Sequence, residues 1–230
     1  MFDPTFSHPS RRCSPAALSL LALLSVAALF GCAVPGALGY KIFGPPDVPA
    51  RYVPPKDQPL VVLVESSHSP AASVPEAEEL VHALHLDLEE HKVAPMVEMR
   101  KVHELRDTEG KSFSRLTISE IGRRVGARQI VYIDLMQCDL LSDPGSEVYK
   151  LKLSAKVRVV DAVTAQTLWP DAEGGEPFEY ETRPTRATTD MSASYIKREA
   201  LKLTGNEIAR MFYAWKPDTM SEENRDSRLR

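Results

Sequence analysis

The chain has 230 residues, 43% of them hydrophobic, and a formal net charge of −4 at pH 7. That is enough apolar material for one domain with a buried core plus extensions, and the near-balanced charge excludes a nucleic-acid binder and an acidic tail protein. Three cysteines, Cys13, Cys32 and Cys138, are too few and too scattered for a disulfide framework or a zinc site, so neither a metal nor a cofactor is expected.

At the N-terminus, Arg11 and Arg12 form a basic start, and the Ala/Leu-rich run from Pro15 to Phe30 ends in Leu29-Phe30-Gly31-Cys32. This resembles a bacterial lipoprotein signal peptide, in which a small residue before the cysteine admits the peptidase and the cysteine thiol carries the diacylglycerol. Leu29, Gly31 and Cys32 fit the pattern, and Phe30 stands where the family prefers a small or β-branched residue. The resemblance implies a leader at residues 1–31, lipidation at Cys32 and a domain tethered to a membrane on the extracytoplasmic side of a bacterial envelope. Paired arginines also open twin-arginine leaders, but the residues that should follow them are missing. The alternative is an uncleaved anchor helix. No charge occurs between Arg12 and Lys41, and about 20 apolar residues span a bilayer, although Pro35 and Gly36 would end such a helix soon after Cys32.

Residues 32–59 read as a tether. Gly44 to Pro59 carries six prolines in sixteen residues, which blocks helix and interior strand; at about 3.1 Å per residue it would hold the domain roughly 50 Å from its anchor. The globular domain is expected over 60–216. Leu60 to Val64 is a short apolar run bounded by Pro59 and a Ser/His/Pro loop, hence a buried first strand. Ser73 and Glu76 form a capping box with Pro75 in the first turn, and Ala77, Leu80, Val81, Leu84 and Leu88 keep one helical face apolar as far as Glu90. A second strand is predicted near Met96 to Met99, a helical turn near Val102 to Leu105, and a polar loop at Asp107 to Lys111.

The next stretch is the best defined. Thr117 and Glu120 make a second capping box, Leu116 and Ile121 occupy the positions of a hydrophobic staple, Ile118, Ile121 and Val125 form an apolar stripe, and Gly126 sits where a left-handed C-cap is needed. From Ile130 the apolar run IVYIDLMQ predicts a strand covered on both faces. Asp143-Pro144-Gly145 is a turn signal. Tyr149 to Val160 then alternates, with Leu151, Leu153, Ala155, Val157 and Val159 on one side and Lys150, Lys152, Ser154, Lys156 and Arg158 on the other, as in an antiparallel strand with one wet face. A turn after Val160 leads to a strand at Leu168-Trp169, and another is expected from Phe178 to Arg183. The closing helix is predicted over Met191 to Trp215, with Ile196, Ala200, Leu203, Ile208, Met211 and Trp215 inward. Residues 217–230 read as a disordered polar tail. The fold class is therefore α/β: one layered domain, a mixed, mostly antiparallel sheet flanked by helices.

The segments Ile121-Gly122-x-x-Val125-Gly126-Ala127-x-x-Ile130-Val131-Tyr132 and Val159-Val160-Asp161-Ala162-x-Thr164-x-x-x-Leu168-Trp169, in this order of elements behind the cysteine, resemble the curli-secretion and penicillin-binding-protein-activator lipoproteins. The resemblance covers most of Leu60 to Trp215 and implies a fold akin to the amino-terminal domain of the TolB translocation protein. Where that family usually has a glycine after Thr164, this chain has Ala165, and the membrane-inserting hairpins of the pore-forming members are missing.

Candidate chemistry is sparse. His82 and His85 share one side of the first helix with Glu78 and Glu89, yet without a His-Glu-x-x-His spacing they read as a solvated polar face. Ser194-Tyr195-Ile196-Lys197 matches Ser-x-x-Lys but lacks the companion motifs of acylating enzymes. Cys138 reads as a small buried hydrophobe. The basic row Lys150, Lys152, Lys156 and Arg158 is either a docking surface for an acidic partner or the wet face of a sheet neutralised by Glu179 and Glu181. The expected function is a non-enzymatic binding or assembly module for another envelope protein. The alternatives are a self-assembling homo-oligomer and, third, a metal-dependent or serine hydrolase.

Overall fold

Hydrophobic alternation and helix punctuation translate directly into layers. The computed structural model describes residues 46–66, 74–142, 144–188 and 191–217. The leader, Cys32, the Ser73 cap, Asp143 and nearly all of the expected polar tail lie outside the described residues. In chain order the elements are β1 (Leu60–Glu65), α1 (Val74–Glu90), α2 (Met99–Glu109), a 3-10 turn (Gly110–Arg115), α3 (Ile118–Val125), β2 (Gln129–Ser142), β3 (Val148–Asp161), β4 (Thr167–Trp169), β5 (Glu176–Glu181), β6 (Thr185–Arg186) and α4 (Ala193–Ala209).

One mixed sheet of six strands organises them: β1 lies parallel to β2, β2 antiparallel to β3, and β4, β5 and β6 each pair antiparallel with β3. A parallel β1–β2 pair requires a crossover, and the helices between the two strands supply it. The first face of the sheet carries Leu60, Val62, Val131, Ile133, Leu153, Val157 and Val159, and it packs with Leu80, Leu84 and Leu88 of α1 and Leu201 and Ile208 of α4. Its second face carries Val61, Leu63, Ile130, Tyr132 and Val160 against Val102, Ile121 and Val125. The predicted mixed sheet flanked by helices is thus the observed architecture.

The capped stretch forms as its residues dictate. The Thr117 hydroxyl accepts from the Glu120 amide at 3.3 Å, the Glu120 carboxylate accepts from the Thr117 amide at 2.8 Å, and Gly126 takes φ +83° as the left-handed cap. β2 begins buried on both faces and becomes half-exposed past Asp134.

Three elements differ from expectation. Instead of a strand at Met96–Met99, Met96 alone makes a parallel bridge to Leu60, and α2 begins at Met99. The expected polar loop at Asp107–Lys111 is the last turn of α2 running into the 3-10 turn. The closing helix stops at Ala209 rather than Trp215, because the chain turns there to seat Met211 and Phe212, 5% and 1% exposed, in the core.

That turn also recruits much of the segment read as tether. The Arg51 and Tyr52 amides both donate to the Met211 carbonyl, at 2.7 and 3.1 Å, and Val48 bridges to Trp215. Tyr52 packs against Trp169 and Phe212, with ring centroids 6.2 and 6.5 Å away, and its hydroxyl donates to Gln129 Oε1 at 2.9 Å. Prolines stop residues 47–59 from forming regular structure without stopping them from packing, so the folded unit begins before Leu60 and runs from Asp47 to Trp215.

Candidate functional site

The predicted basic row stands on β3, where strand alternation turns Lys150, Lys152, Ser154, Lys156 and Arg158 to the second face, beyond the reach of α2 and α3. Strand register sets the charges around it. Lys156 pairs across with Asp134, which in turn pairs with Glu65; Lys152 lies between Asp139 on one side and Glu181 on the other; Ser154 lies opposite Glu179. Facing cross-strand residues share a side of the sheet, so the basic strand runs between two acidic ones.

The four cations are therefore not equivalent. Lys150 donates to Glu181 at 2.6 Å, and this pair holds the Glu181 carboxyl below the usual range. Arg158 lies over the Tyr132 ring, 4.6 Å from its centroid, while the Tyr132 hydroxyl donates to Glu65 at 2.8 Å. Burial, together with that acceptor, pushes the Tyr132 phenol well above its ordinary value. Lys152 and Lys156 are exposed and, among the described residues, form no ion pair. Two of the predicted residues are thus engaged within the sheet and two face outward.

The remaining candidates separate cleanly. Lys197 of the Ser-x-x-Lys sequence pairs with Glu76 of α1 at 2.5 Å, while Ser194 is exposed, with its hydroxyl 2.9 Å from that of Ser192, the α4 N-cap. The serine and the lysine are thereby committed to different partners. His85 is only 9% exposed, so the face read as solvated is partly buried, and burial lowers its pKa. Its Nε2 lies 3.9 Å from Glu89, His82 is exposed, and the described residues contain no cluster of three or more His, Cys, Asp or Glu able to hold a metal ion. Cys138 is 2% exposed, and burial pushes its thiol up to about 11, which suits a core residue rather than a nucleophile. No helix among the described residues is long and apolar enough to cross a membrane.

Two concavities were not legible in the sequence. One, of about 510 Å³, lies between the β5–β6 segment and the start of α4, with Tyr180, Arg183, Arg186 and Tyr195 in its walls. The other, of about 710 Å³, runs along Val61–Glu65 of β1 between α1 and α2. The run Leu60–Val64 signals burial, but nothing local reveals that β1 is an edge strand, because that depends on where the crossover places its neighbours.

No family model and no curated protein matches the chain. Among solved structures, it is similar to the lipoprotein GNA1162 from Neisseria meningitidis, 18% identical over 67% of this chain and 99% of that one with a TM-score of 0.39. Protein XCC0632 from Xanthomonas campestris is 11% identical over 80% of this chain and 97% of that one, with a TM-score of 0.40. The PelC dodecamer from Paraburkholderia phytofirmans is 8% identical over 74% of this chain and 94% of that one, with a TM-score of 0.34. Likeness at this level assigns neither a family nor a role.

Proposed function

We infer that the chain is a lipid-anchored envelope protein whose domain serves as a non-enzymatic binding or assembly module for another envelope protein. The observation that carries this reading is the leader: an uncharged apolar run after Arg12 that ends in Gly31-Cys32. Such a sequence delivers a cysteine thiol to the membrane surface and leaves the following domain outside the cytoplasm. From Val48 onward the chain is packed onto the domain, so a spacing role of the proline-rich stretch would fall to the residues before Val48. Lys152 and Lys156, the two outward cations of β3, are the residues of the basic row available to a partner.

Metabolic labelling with a fatty-acid analogue tests the anchor. The wild-type chain is expected to take up label and to fractionate with membranes, and Cys32→Ser is expected to lose the label. Unchanged labelling of the serine variant removes the lipidation site. Cross-linked pull-down of the tethered protein tests the binding role: one specific envelope partner supports it, and recovery of the chain alone moves the reading to self-assembly.

A further inference from the structure

We propose that the end of the domain where β1 and β2 begin rests on the bilayer, with Val53, Val163 and Leu168 as its apolar contacts. This inference rests on the lipid-anchor reading and gives the anchored domain an orientation.

Topology gathers this end from distant parts of the chain. Leu60 pairs with Gln129 and Gln129 with Asp161, so one row marks the start of β1 and β2 and the end of β3. The loops beyond that row are tied together through their backbones: the Arg128 amide donates to the Pro59 carbonyl at 2.8 Å, and the Ala162 amide to the Arg128 carbonyl at 3.0 Å. Helices α1 and α4 finish there too. They lie side by side in one direction, joined near their starts by Glu76 and Lys197 and near their ends by Asp87 and Tyr213. Soon after α1, the Pro95 carbonyl accepts from the Leu60 amide at 2.8 Å. The folded unit opens at Asp47 and closes at Trp215, and the Val48 and Trp215 backbones bond each other at 2.8 and 3.1 Å just past the end of α4.

Exposure singles out the surface, and the tether selects its occupant. Of the six large apolar side chains exposed among the described residues, Val53, Val163 and Leu168 lie at this end, 67%, 55% and 38% exposed. The other three are scattered: Leu86 is on α1, Leu141 near the far end of β2 and Tyr195 in the first turn of α4. Single exposed apolar residues are ordinary, whereas three gathered on the loops of one end form a patch. Tyr52 packs against Trp169 at 6.2 Å, which brings the neighbours Val53 and Leu168 to the same region. A domain attached to a lipid anchor through residues 33–46 meets the bilayer at an effective concentration on the order of mM, and the end where that link joins meets it first. Three side chains are too few for a protein interface, which needs about 800 Å² on each partner; they suffice where the anchor has already met the entropic cost of association. Charges at this end are matched, Arg51 with Glu176, Arg128 with Asp161 and Lys56 with its neighbour Asp57, so the contact is apolar rather than electrostatic. In this orientation Lys152, paired far along β2 with Asp139, is turned away from the membrane, where an envelope partner can reach it.

The test uses the full chain, produced with its leader, purified from membranes in detergent and reconstituted into preformed phosphatidylcholine vesicles. A polarity-sensitive fluorophore is placed in turn at Val163→Cys and Leu168→Cys and, as controls, at Leu86→Cys and Leu141→Cys; Cys138, 2% exposed, stays unlabelled. Contact with the bilayer predicts a blue-shifted emission, quenched by brominated phosphatidylcholine, at 163 and 168 and neither effect at 86 or 141. Val53→Asp with Val163→Asp should abolish the shift at 168 while the thermal melt stays near that of the wild type, since both side chains are exposed. If that variant does not fold, the comparison of the four reporters decides. Equal signals at all four positions, or no shift at 163 and 168, overturn the proposed orientation, and a shift that appears only with anionic lipid overturns the apolar contact. Uptake of the fatty-acid label is read first: a labelled chain without the shift leaves the anchor standing and removes this contact, whereas a chain that takes no label removes both, so the two failures are distinguishable.

Discussion

The two faces of the sheet are built to different specifications. The first is covered by α1 and α4, and Leu151, Leu153, Val157 and Val159 beneath them are all within 1% of fully buried. Among the described residues the second is covered at one end, by α2, the 3-10 turn and α3, and gives way to alternating charges past Tyr132 and Val160. The difference separates packing from charge: the covered face supplies the larger part of the core, and the open half of the second face carries the outward Lys152 and Lys156.

The strongest way to break this asymmetry is to wedge the helices off the first face. Gly205 sits in the middle of α4, where a residue without a Cβ weakens the helix, yet it is buried. A Cβ there would meet the Ala83 Cβ at 2.7 Å, the Leu84 nitrogen at 3.2 Å and the Leu80 oxygen at 3.3 Å, and backbone atoms do not step aside. Gly205→Val should cost about 3 kcal/mol in a urea titration, more than any gain in helix propensity. In the milder Gly205→Ala background, Ala83→Gly should restore part of the loss by removing the nearest atom, and strictly additive single effects would place the strain elsewhere.

A smaller effect is expected at the closed end of the second face, in the turn after β3. The Asp161 carboxylate accepts from the amides of Val163 and Thr164, at 2.7 and 2.9 Å, and pairs with Arg128 at 2.9 Å. Burial would raise its pKa, but those two amides and Arg128 outweigh it and hold the carboxyl below the usual range. A group whose folded pKa is depressed stabilises above its unfolded value and loses that contribution as pH falls through the folded value. Asp161→Ala should therefore cost about 2 kcal/mol at pH 7, and the gap from the wild type should close as pH falls below about 4. A gap that persists in acid would mean that the turn depends on shape rather than on charge.

Signals carried by neighbouring residues were readable in the sequence, and those set by tertiary packing were not. Thr117, Glu120 and Gly126 act within a few residues of one another, so the start and stop of α3 were legible. Alternation on β3 was legible for the same reason, since period two is a local property. The start of α2 at Met99 in place of a strand was not, because Val102 reaches the second face by helical geometry that only the tertiary packing selects, with Val97 packed beside it from the preceding coil. Leu203 was placed inward and Leu201, Thr204 and Gly205 were not, although it is these three that face α1 and the sheet; Gly205 reads as a helix breaker until the opposing backbone is known. The row Lys150 to Arg158 was visible as a row, but its division into two engaged and two outward cations follows from strand register across β2 and β5.

Ala165 should give a gain rather than a loss. It takes φ +59°, a conformation that favours glycine, and its amide donates to the Asp161 carbonyl at 2.9 Å. The left-handed conformation costs an L-residue about 1–2 kcal/mol, and replacing alanine with glycine returns about 0.4–1 kcal/mol to the unfolded chain as entropy. The difference predicts that Ala165→Gly stabilises by roughly 0.5–1 kcal/mol. A destabilised variant would show that the alanine methyl is making a contact worth more than the strain.

The smallest effect on stability belongs to the open half of the second face, and there a null result is the informative one. Lys152 and Lys156 are exposed, and their facing carboxylates lie across strands in water, where such charges contribute about 0–1 kcal/mol. Lys152→Glu with Lys156→Glu places acid opposite Asp139, Glu181 and Asp134, so the double variant should lose less than about 1 kcal/mol at low salt and recover most of that in 0.5 M salt, where the Debye length is only about 4 Å. Recovery with salt would mark these lysines as solvent-screened charges that the fold does not need. Any loss of a partner by the same variant could then be assigned to the surface itself, because the sheet beneath it would be intact.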